Sequence, residues 1–385
     1  MNRLNPSTDG PVYLDCAATS PIEPAVLDEM SRIWREEPGN AGSRTHGYGL
    51  SAKKLAERAR AQVASVVDSR ADEVVFTSGA TESNNIAILG LAGQGEETKR
   101  RHVVSTAIEH KAVLEPIEYL RTRGFNVTLV DPDATGAVSP DAIADAVRSD
   151  TLLVSVMQTN NETGICQPID EIAALLADHE AWFHVDAAQG FGKELSALRN
   201  PRVDLISISS HKIYGPVGIG ALVARRRGFR KPPLSPVHYG GGQERGLRHG
   251  TLAVPLVAGL GVAAEMAERD HGARRSACLA VRESLLDAFA DLEPILVGDQ
   301  DLAMPGIVNL AVTGVDAEAL MVALKDLIAI SNGSACTSQS YEPSHVLKAM
   351  RQPQQVIEGA VRISWCHMTP AVDWGSVSRR IDGLR

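Results

Sequence analysis

The middle of the chain reads Val203-Asp-Leu-Ile-Ser-Ile-Ser-Ser-His-Lys-Ile-Tyr-Gly215. Its first half is largely apolar and predicts a short buried strand, which ends at the small polar residues Ser209 and Ser210. Lys212 follows this strand end, where α/β proteins place their ligand-binding crevice. A lysine that is desolvated there can act as an amine nucleophile or as a base. The alternative is a surface lysine that follows an edge strand.

The same order of apolar strand, polar strand end and helix recurs on the N-terminal side of this stretch. Five further strands are predicted there, at residues 73–77, 102–106, 125–130, 152–157 and 182–186. This alternation predicts an α/β fold in which helices cover both faces of a mostly parallel sheet. A long helix predicted from about residue 257 to 270 leads into a second α/β pattern, and a chain of 385 residues is expected to form two domains.

Composition and charge exclude several classes of function. The net charge of −9 argues against direct binding of nucleic acid or of a membrane surface. The basic run from Arg225 to Lys231 is the exception, and we interpret it as a solvated turn. Five scattered cysteines without a C-x-x-C pair predict a reducing compartment, with neither a disulfide framework nor a metal site. The sequence shows no secretion signal and no membrane-spanning run, so a cytoplasmic protein is expected.

The polar strand ends are expected to meet along one edge of the main sheet. They are Thr81, His110, Asn161, Asp186, Gln189, Ser209, His211 and Lys212. Free backbone amides at the helix start after Gly79 suit a phosphate, and a carboxylate suits a protonated aromatic nitrogen. A lysine can form a Schiff base. Together these groups predict a site for pyridoxal 5'-phosphate.

Eight ordered motifs cover essentially the whole chain. They are Leu14-Asp-Cys-Ala-Ala-Thr, Gly39-Asn through Ser43-Arg-Thr-His46, Phe76-Thr-Ser-Gly-Ala-Thr-Glu-Ser83, Glu109-His-Lys-Ala-Val, Asn160-Asn-Glu-Thr-Gly, His184-Val-Asp-Ala-Ala-Gln, Ser210-His-Lys-Ile-Tyr-Gly-Pro with Gly240-Gly-Gly-Gln-Glu-Arg-Gly, and Ser331-Asn-Gly-Ser-Ala-Cys-Thr-Ser. In this order they resemble the cysteine desulfurases of the NifS/IscS-like type, in the class V aminotransferase family. The resemblance implies the aspartate aminotransferase fold (fold type I), with a mostly parallel seven-stranded sheet in a large domain, 21–265. A smaller α/β domain, 1–20 and 266–385, is expected to carry a mobile cysteine loop.

The resemblance also assigns roles to residues at the sheet edge. It implies that Lys212 binds the cofactor covalently, that Asp186 pairs with the ring nitrogen and that Gln189 contacts the ring hydroxyl. His110 is expected to stack on the ring and to act as an acid or base. The phosphate is expected to be held by Ala80, Thr81, Ser209 and His211.

Substrate and dimer contacts follow from the same resemblance. Asn161 is expected to contact the cofactor and, with Arg362, the substrate carboxylate, because an arginine fork suits that group. Thr251 is expected to contact the phosphate of a neighbouring subunit, which implies a homodimer. Each residue also has a plainer interpretation: a helix cap for Asp186, a turn residue for Asn161, a hydrogen-bonded strand-end histidine for His110 and a salt-bridged edge residue for Arg362.

Cys336 indicates the reaction type. Its small polar neighbours predict an exposed, mobile loop, so its thiol is a candidate nucleophile that must travel, whereas we interpret the other four cysteines as structural. The implied reaction converts L-cysteine to L-alanine: Lys212 removes the Cα proton, and Cys336 takes the sulfur as a persulfide for an acceptor protein. The rival interpretations are a transaminase or selenocysteine lyase of the same family, and a non-catalytic regulator on the same fold.

The chain departs from its relatives at three places. It has Asn40-Ala-Gly-Ser in place of Asn-Pro-Ala-Ser, and His249 in place of a serine near the expected phosphate. It also ends soon after Trp374, without the extension that housekeeping members use to dock an iron–sulfur scaffold. The missing extension favours a dedicated acceptor, for example one serving DNA phosphorothioate modification, over iron–sulfur or thio-cofactor assembly.

Overall fold

The computed structural model describes residues 10–333 and 343–385. Its strands are β1 Val12–Tyr13, β2 Val74–Thr77, β3 His102–Thr106, β4 Asn126–Val130, β5 Thr151–Met157, β6 Trp182–Asp186, β7 Leu205–Ser209, β8 Gly220–Ala224, β9 Ile295–Leu296, β10 Ile307–Ala311, β11 Ile328–Ala329 and β12 Val361–Ser364. Its α-helices are α1 Pro24–Glu36, α2 Gly47–Val66, α3 Ala80–Leu89, α4 Ala92–Thr98, α5 Lys111–Thr122, α6 Pro140–Ala146, α7 Ile169–Leu175, α8 Val254–Arg269, α9 His271–Ala288, α10 Ala317–Leu324, α11 His345–Ala349, α12 Gln354–Gly359 and α13 Trp374–Asp382.

The main sheet has seven strands in the order β2-β8-β7-β6-β5-β3-β4. Strands β7, β6, β5, β3 and β4 are parallel, and β8 is antiparallel to both of its neighbours. This confirms the mostly parallel seven-stranded sheet. Side chains alternate between its two faces, so Leu205 packs in the apolar cluster around α3 and α5 while Ile206 packs in the cluster under α2 and α8. Because both faces are covered, every residue of β5 is buried.

A second, antiparallel sheet has the order β12-β10-β9. Helices α9, α10 and α13 contribute to the apolar cluster that packs on it, where the rings of Phe289 and Trp374 meet edge to face at 5.9 Å. The first strand, β1, pairs in parallel with β11, so residues 12–13 lie with the C-terminal third of the chain. The division of the chain into domains 21–265 and 1–20 with 266–385 stays a prediction.

The basic run after β8 differs from the solvated turn that the sequence predicts. Arg225 is buried, and its guanidinium donates to the carbonyl oxygens of Val67, Leu198, Asn200 and Val203. It therefore ties together loops that lie far apart in the sequence. The tip of the run is exposed, as predicted. Among the described residues, the structure contains no helix with the length and apolar character that crossing a membrane requires.

Candidate active site

A cavity of about 400 Å³ opens at the carboxyl ends of the parallel strands of the main sheet. Ten residues that the sequence singles out line it: Ala80, Thr81, His110, Asn161, Asp186, Gln189, Ser209, His211, Lys212 and Arg362. The edge of the sheet therefore brings together side chains that are up to 282 positions apart in the sequence (from Ala80 to Arg362). Two further predicted residues are not part of this set. Thr251 is exposed outside the cavity wall, and Cys336 lies outside the described residues.

One end of the cavity is formed by the start of α3. Gly79 precedes this helix with φ 155° and ψ −178°, a backbone conformation that is open essentially to glycine alone. Gly220 of β8 packs against it so closely that a Cβ atom there would lie 2.6 Å from the Gly79 Cα. Two glycines thus allow the backbone of α3 to begin beside Ser209, whose side chain is near Gly79. The free amides of the first turn, including that of Ala80, then line the cavity and suit a phosphate.

His211 lies beside this phosphate-sized end. Its Nδ1 is 3.2 Å from the Thr19 hydroxyl, and its pKa is lowered to about 4 by burial and by the nearby charges of Lys212 and Lys193. The imidazole is therefore neutral at physiological pH. A neutral ring can still donate one hydrogen bond to an anion, and a bound anion would favour its protonation.

Lys212 reaches across the cavity to the N-terminal segment. Its Nζ donates hydrogen bonds to the carbonyl oxygens of Ala17 and, at 2.7 Å, Ala18. The two carbonyl oxygens accept hydrogen bonds from the amine but carry no formal charge that would neutralise it. The lysine is half-buried at the strand end, which excludes the surface lysine that the sequence left as the alternative.

Asp186 ends β6 with both carboxylate oxygens held. Its Oδ1 accepts from the backbone amide of Ala188 at 3.0 Å, and its Oδ2 accepts from the side-chain amide of Asn84 at 2.8 Å. The carboxylate is 4% exposed and lines the cavity. Its partner Ala188 lies in a turn, so Asp186 makes a turn contact where the plainer interpretation expected a helix cap, and it also presents a negative charge to whatever fills the cavity.

Gln189 provides a test of whether the cofactor fits. Its Nε2 donates to the Ala17 carbonyl at 2.8 Å, which fixes the amide orientation. Its Oε1 is buried with no hydrogen-bond partner among the described residues. An unpaired buried acceptor is costly, so the site calls for a donor such as the hydroxyl of a pyridine ring. This orphaned oxygen, the amine of Lys212 and the carboxylate of Asp186 fit pyridoxal phosphate.

His110 and Glu109 lie where β3 leads into α5. The His110 Nδ1 accepts from the amide of Ala112 at 3.0 Å and caps the helix, which leaves Nε2 to carry the ring proton. Burial is the first cause that lowers the His110 pKa. Glu109 is fully buried, and burial raises its pKa to about 8 although its Oε1 accepts from Thr106 and Met157. A buried, neutral carboxylic acid therefore directly precedes a neutral imidazole in the chain.

Arg362 on β12 is nearly completely buried at the opposite wall. Its guanidinium forms a 2.6 Å ion pair with Asp15, donates to the Ser331 hydroxyl at 3.0 Å and donates to the Asn161 carbonyl at 2.8 Å. The arginine is thus salt-bridged, as its plainer interpretation expected, and it also lines the cavity. Its Nε has no partner among the described residues, so the guanidinium retains donor capacity for a carboxylate.

Sequence reasoning missed three side chains of this site. Asn84 holds Asp186, Asp15 pairs with Arg362, and Glu109 is fully buried beside His110 in the chain. Asn84 could have been found, because it lies four residues after Ala80 on the same face of the helix. Asp15 and Glu109 belong to two of the quoted motifs, but nothing in their spacing signals a partner.

The fold and the cavity define a class of protein, the fold type I enzymes that bind pyridoxal phosphate through a strand-end lysine. The family model "Aminotransferase class-V" matches residues 12–373. The mitochondrial cysteine desulfurase of Drosophila melanogaster is 44% identical over 94% of this chain and 78% of its own length. Cysteine desulfurase IscS of Methylococcus capsulatus is 43% identical over 94% of this chain and 89% of its own.

Solved structures agree with these relatives. DndA from Streptomyces lividans is 49% identical and superimposes with a TM-score of 0.81 over 92% of this chain and 99% of its own. SspA in complex with cysteine is 34% identical, with a TM-score of 0.80 over 92% of this chain and 98% of its own. The chain therefore belongs to the class V aminotransferase family, among its cysteine desulfurases. Enzymes of this family depend on pyridoxal phosphate.

Proposed function

We propose that this chain converts L-cysteine to L-alanine and collects the sulfur on Cys336 as a persulfide, which it passes to an acceptor protein. The main observation behind the proposal is that one cavity is lined by Lys212, Asp186, His110 and the start of α3. Cysteine desulfurase activity is what the relatives at 43–44% identity support. An SspA structure in complex with cysteine adds support for the substrate.

The residues of the cavity divide the work of holding pyridoxal phosphate. Thr81, Ser209, His211 and the Ala80 amide would hold the phosphate, Gln189 the ring hydroxyl and Asp186 the ring nitrogen. When bound, the cofactor withdraws electrons from the Cα atom of the amino acid. Asp186 supports that withdrawal, because its carboxylate favours a protonated ring nitrogen. His110 would lie against the ring, with its Nε2–H directed to the substrate side.

The chain's own groups would carry the proton and the sulfur. Lys212 would take the Cα proton of the substrate, and the Ala17 and Ala18 carbonyls hold its amine in place. Arg362 and Asn161 bind the substrate carboxylate. The Cys336 thiolate would attack the substrate sulfur: the S–S bond of the persulfide forms, the Cβ–S bond of the substrate breaks, and a proton added at Cβ completes alanine. Described residues on both sides of 334–342 contact Glu162, since Gly333 packs against it and Ser344 donates to it, and Glu162 adjoins Asn161.

The partners are also part of the proposal. We propose a homodimer in which Thr251 reaches the phosphate of the other subunit; Val217, exposed at the cavity wall, and the exposed Tyr239 provide apolar surface for such contact. His249 accepts from the Gly242 amide at 2.8 Å and so fixes the loop that carries Thr251. The acceptor is proposed to serve DNA phosphorothioate modification, with iron–sulfur or thio-cofactor assembly as the alternative, in the cytoplasm.

Two variants test the reaction. Cys336→Ser should bind pyridoxal phosphate with the absorbance of the wild-type protein, yet accumulate no persulfide and release no alanine in repeated turnover. Lys212→Ala should lose the covalent bond to the cofactor, which mass spectrometry of the borohydride-reduced protein detects. Wild-type rates of alanine and sulfide release by Cys336→Ser would contradict its role and would favour a different class V enzyme. Separate incubations of the unsubstituted protein with L-cysteine and each candidate acceptor would show which acceptor takes up the sulfur.

A further inference from the structure

A second cavity, of about 40 Å³, adjoins the candidate active site, and Ala17 lines both. Cys16 and Cys278 contribute to its wall, together with Lys193 and Tyr214. A volume of this size holds a few water-sized molecules. The cavity is therefore too small for an amino acid but large enough for a molecule such as hydrogen peroxide.

Two of the cysteines near this cavity touch each other. Cys16 and Cys366 are both buried and pack in one cluster with Tyr214. The Cys16 thiol donates a hydrogen bond to the Cys366 sulfur, and the Cys16 amide donates to the Ser364 carbonyl at 3.1 Å. The pair joins the N-terminal segment to the end of β12. Both cysteines are buried in the fold, and their interpretation as structural residues stays a prediction.

The surroundings of Cys366 favour a thiolate. Its sulfur accepts hydrogen bonds from the Cys16 thiol, from the Met368 amide and, at 3.8 Å, from the Thr369 hydroxyl. The bond from Cys16 is the main cause that lowers the Cys366 pKa to about 6, against the opposing effect of burial, and the charge of His367 adds to it. The same shared proton, together with burial, raises the pKa of Cys16.

The other groups around the pair have different properties. Burial raises the pKa of Cys278 to about 11, so this thiol stays protonated and unreactive. The ammonium of Lys193 favours ionisation of Cys16 and Cys278, while burial lowers its own pKa. Arg274 already forms an ion pair with Glu23 at 2.7 Å. The two sulfurs in contact, one of them a thiolate, are therefore the reactive pair at this cavity.

We propose that Cys16 and Cys366 are a redox pair that forms a reversible disulfide when hydrogen peroxide enters the second cavity. The Cys16 sulfur, which lines the cavity, attacks one peroxide oxygen while its proton passes to Cys366; the O–O bond breaks, and the hydroxide that leaves takes a proton from solvent to become water. The Cys366 thiol then attacks the sulfur of the sulfenic acid on Cys16; the S–S bond forms, the S–O bond breaks, and the thiol proton joins the hydroxide as a second water. The two sulfurs lose two electrons, and the peroxide takes up these electrons with one proton from the cysteine pair and one from solvent.

Cys16 of this redox pair directly precedes Ala17, which lines the candidate active site. Ala17, which follows Cys16, supplies the carbonyl oxygen that accepts from both Lys212 and Gln189. Bond formation must draw the two sulfurs to about 2.05 Å, so the N-terminal segment shifts toward Cys366 when the disulfide forms. Oxidation at Cys16 accordingly acts on the carbonyl oxygens that accept hydrogen bonds from Lys212.

The test uses the full-length holoenzyme that carries Cys336→Ser, so that the Cys336 thiol does not compete for oxidant. It is treated with hydrogen peroxide, alkylated in denaturant and digested without reduction. Mass spectrometry should find the Cys16 peptide linked to the Cys366 peptide, and dithiothreitol should reverse the link. Loss of alkylation at Cys16 and Cys366 should be at least tenfold faster than at Cys278.

Added substitutions complete the test. Cys278→Ser, which changes a thiol of the same cavity, should leave the Cys16–Cys366 link unaffected. Cys366→Ser should abolish it and slow the loss of alkylation at Cys16, because the group that takes the Cys16 proton and the resolving thiol are both gone. The proposal is wrong if Cys16 and Cys366 remain fully alkylated while the protein stays folded, or if Cys16 links to Cys278 at an equal rate. The linked peptide is read without turnover, so the result is independent of the proposed function.

Discussion

The side-chain amide of Asn84 on α3 donates a 2.8 Å hydrogen bond to the Oδ2 of Asp186 at the end of β6. Asn84 has no exposed surface and Asp186 has very little. With Oδ1 held by the Ala188 amide, the carboxylate cannot rotate without breaking one of the two bonds. Asn84 thus orients the negative charge that the cavity presents to the ring nitrogen of the cofactor.

Asn84→Ala should therefore lower kcat for alanine release by about tenfold, because outer partners that orient a functional group are typically worth 10–100-fold. The absorbance maximum of the bound cofactor should shift with pH more readily than in the wild-type protein. Asn85→Ala is the matched control: Asn85 donates only to the Thr81 carbonyl of its own helix, at 2.9 Å. Equal rates for the two variants would show that Asn84 does not orient Asp186.

Arg362→Lys should raise KM for L-cysteine by at least tenfold with a smaller change in kcat. A lysine ammonium cannot bond Asp15, the Asn161 carbonyl and a substrate carboxylate at once, because it lacks the planar fork. Arg282→Lys is the control, since Arg282 is also buried but donates to the Ile307 carbonyl and Gln300 outside the cavity. Steady-state alanine release against cysteine concentration measures both constants. An unchanged KM in Arg362→Lys would remove this arginine from the substrate site.

Glu109 predicts a pH dependence of stability. Its pKa in the folded protein is raised by burial from 4.5 to about 8, so between these values the folded state binds a proton that the unfolded state has lost. Stability from this group is therefore fully present below about pH 4.5 and falls as the pH rises to about 8, by up to about 1.4 kcal/mol per unit. Glu109→Gln resembles the protonated acid and should flatten the slope between pH 5 and 8.

Urea unfolding at pH 5, 6, 7 and 8 measures this slope in the wild-type protein and in Glu109→Gln. Glu115→Gln, an exposed change on α5, should keep the wild-type slope. A slope shared by all three proteins would mean that Glu109 is ionised in the fold. The hydrogen bonds from Thr106 and Met157 to its Oε1 remain possible for glutamine, so the comparison isolates the proton.

The strand ends were readable from the sequence because a two-residue period and a following polar cluster are local features. Asp186, Lys212 and the other lining residues follow from that pattern, and the structure brings them to one cavity. The pairs that hold them are not local: Asn84 and Asp186 are 102 residues apart, and Asp15 and Arg362 are 347 apart. Such pairs depend on which helix faces and loops the folded chain brings together, and no spacing rule encodes them.

Arg225 is another residue whose hydrogen-bond partners the local sequence does not reveal. In the sequence it opens a run of basic residues that is typical of a solvated turn, yet its guanidinium is enclosed by main-chain carbonyls of four residues. Arg225→Met keeps the apolar stem and removes every donor. Since each buried carbonyl left unpaired costs about 1–3 kcal/mol, the free energy of unfolding should fall by about 3–5 kcal/mol.

Arg230→Met is the comparison within the same run. Arg230 is exposed and pairs at 2.7 Å with Glu180, which is exposed as well, so the free energy of unfolding should change by less than about 1 kcal/mol. Urea titration of both variants at one pH gives the difference directly. If the two variants unfold at the same urea concentration, the carbonyls around Arg225 are hydrated in solution, and the solvated turn that the sequence predicts would be correct after all.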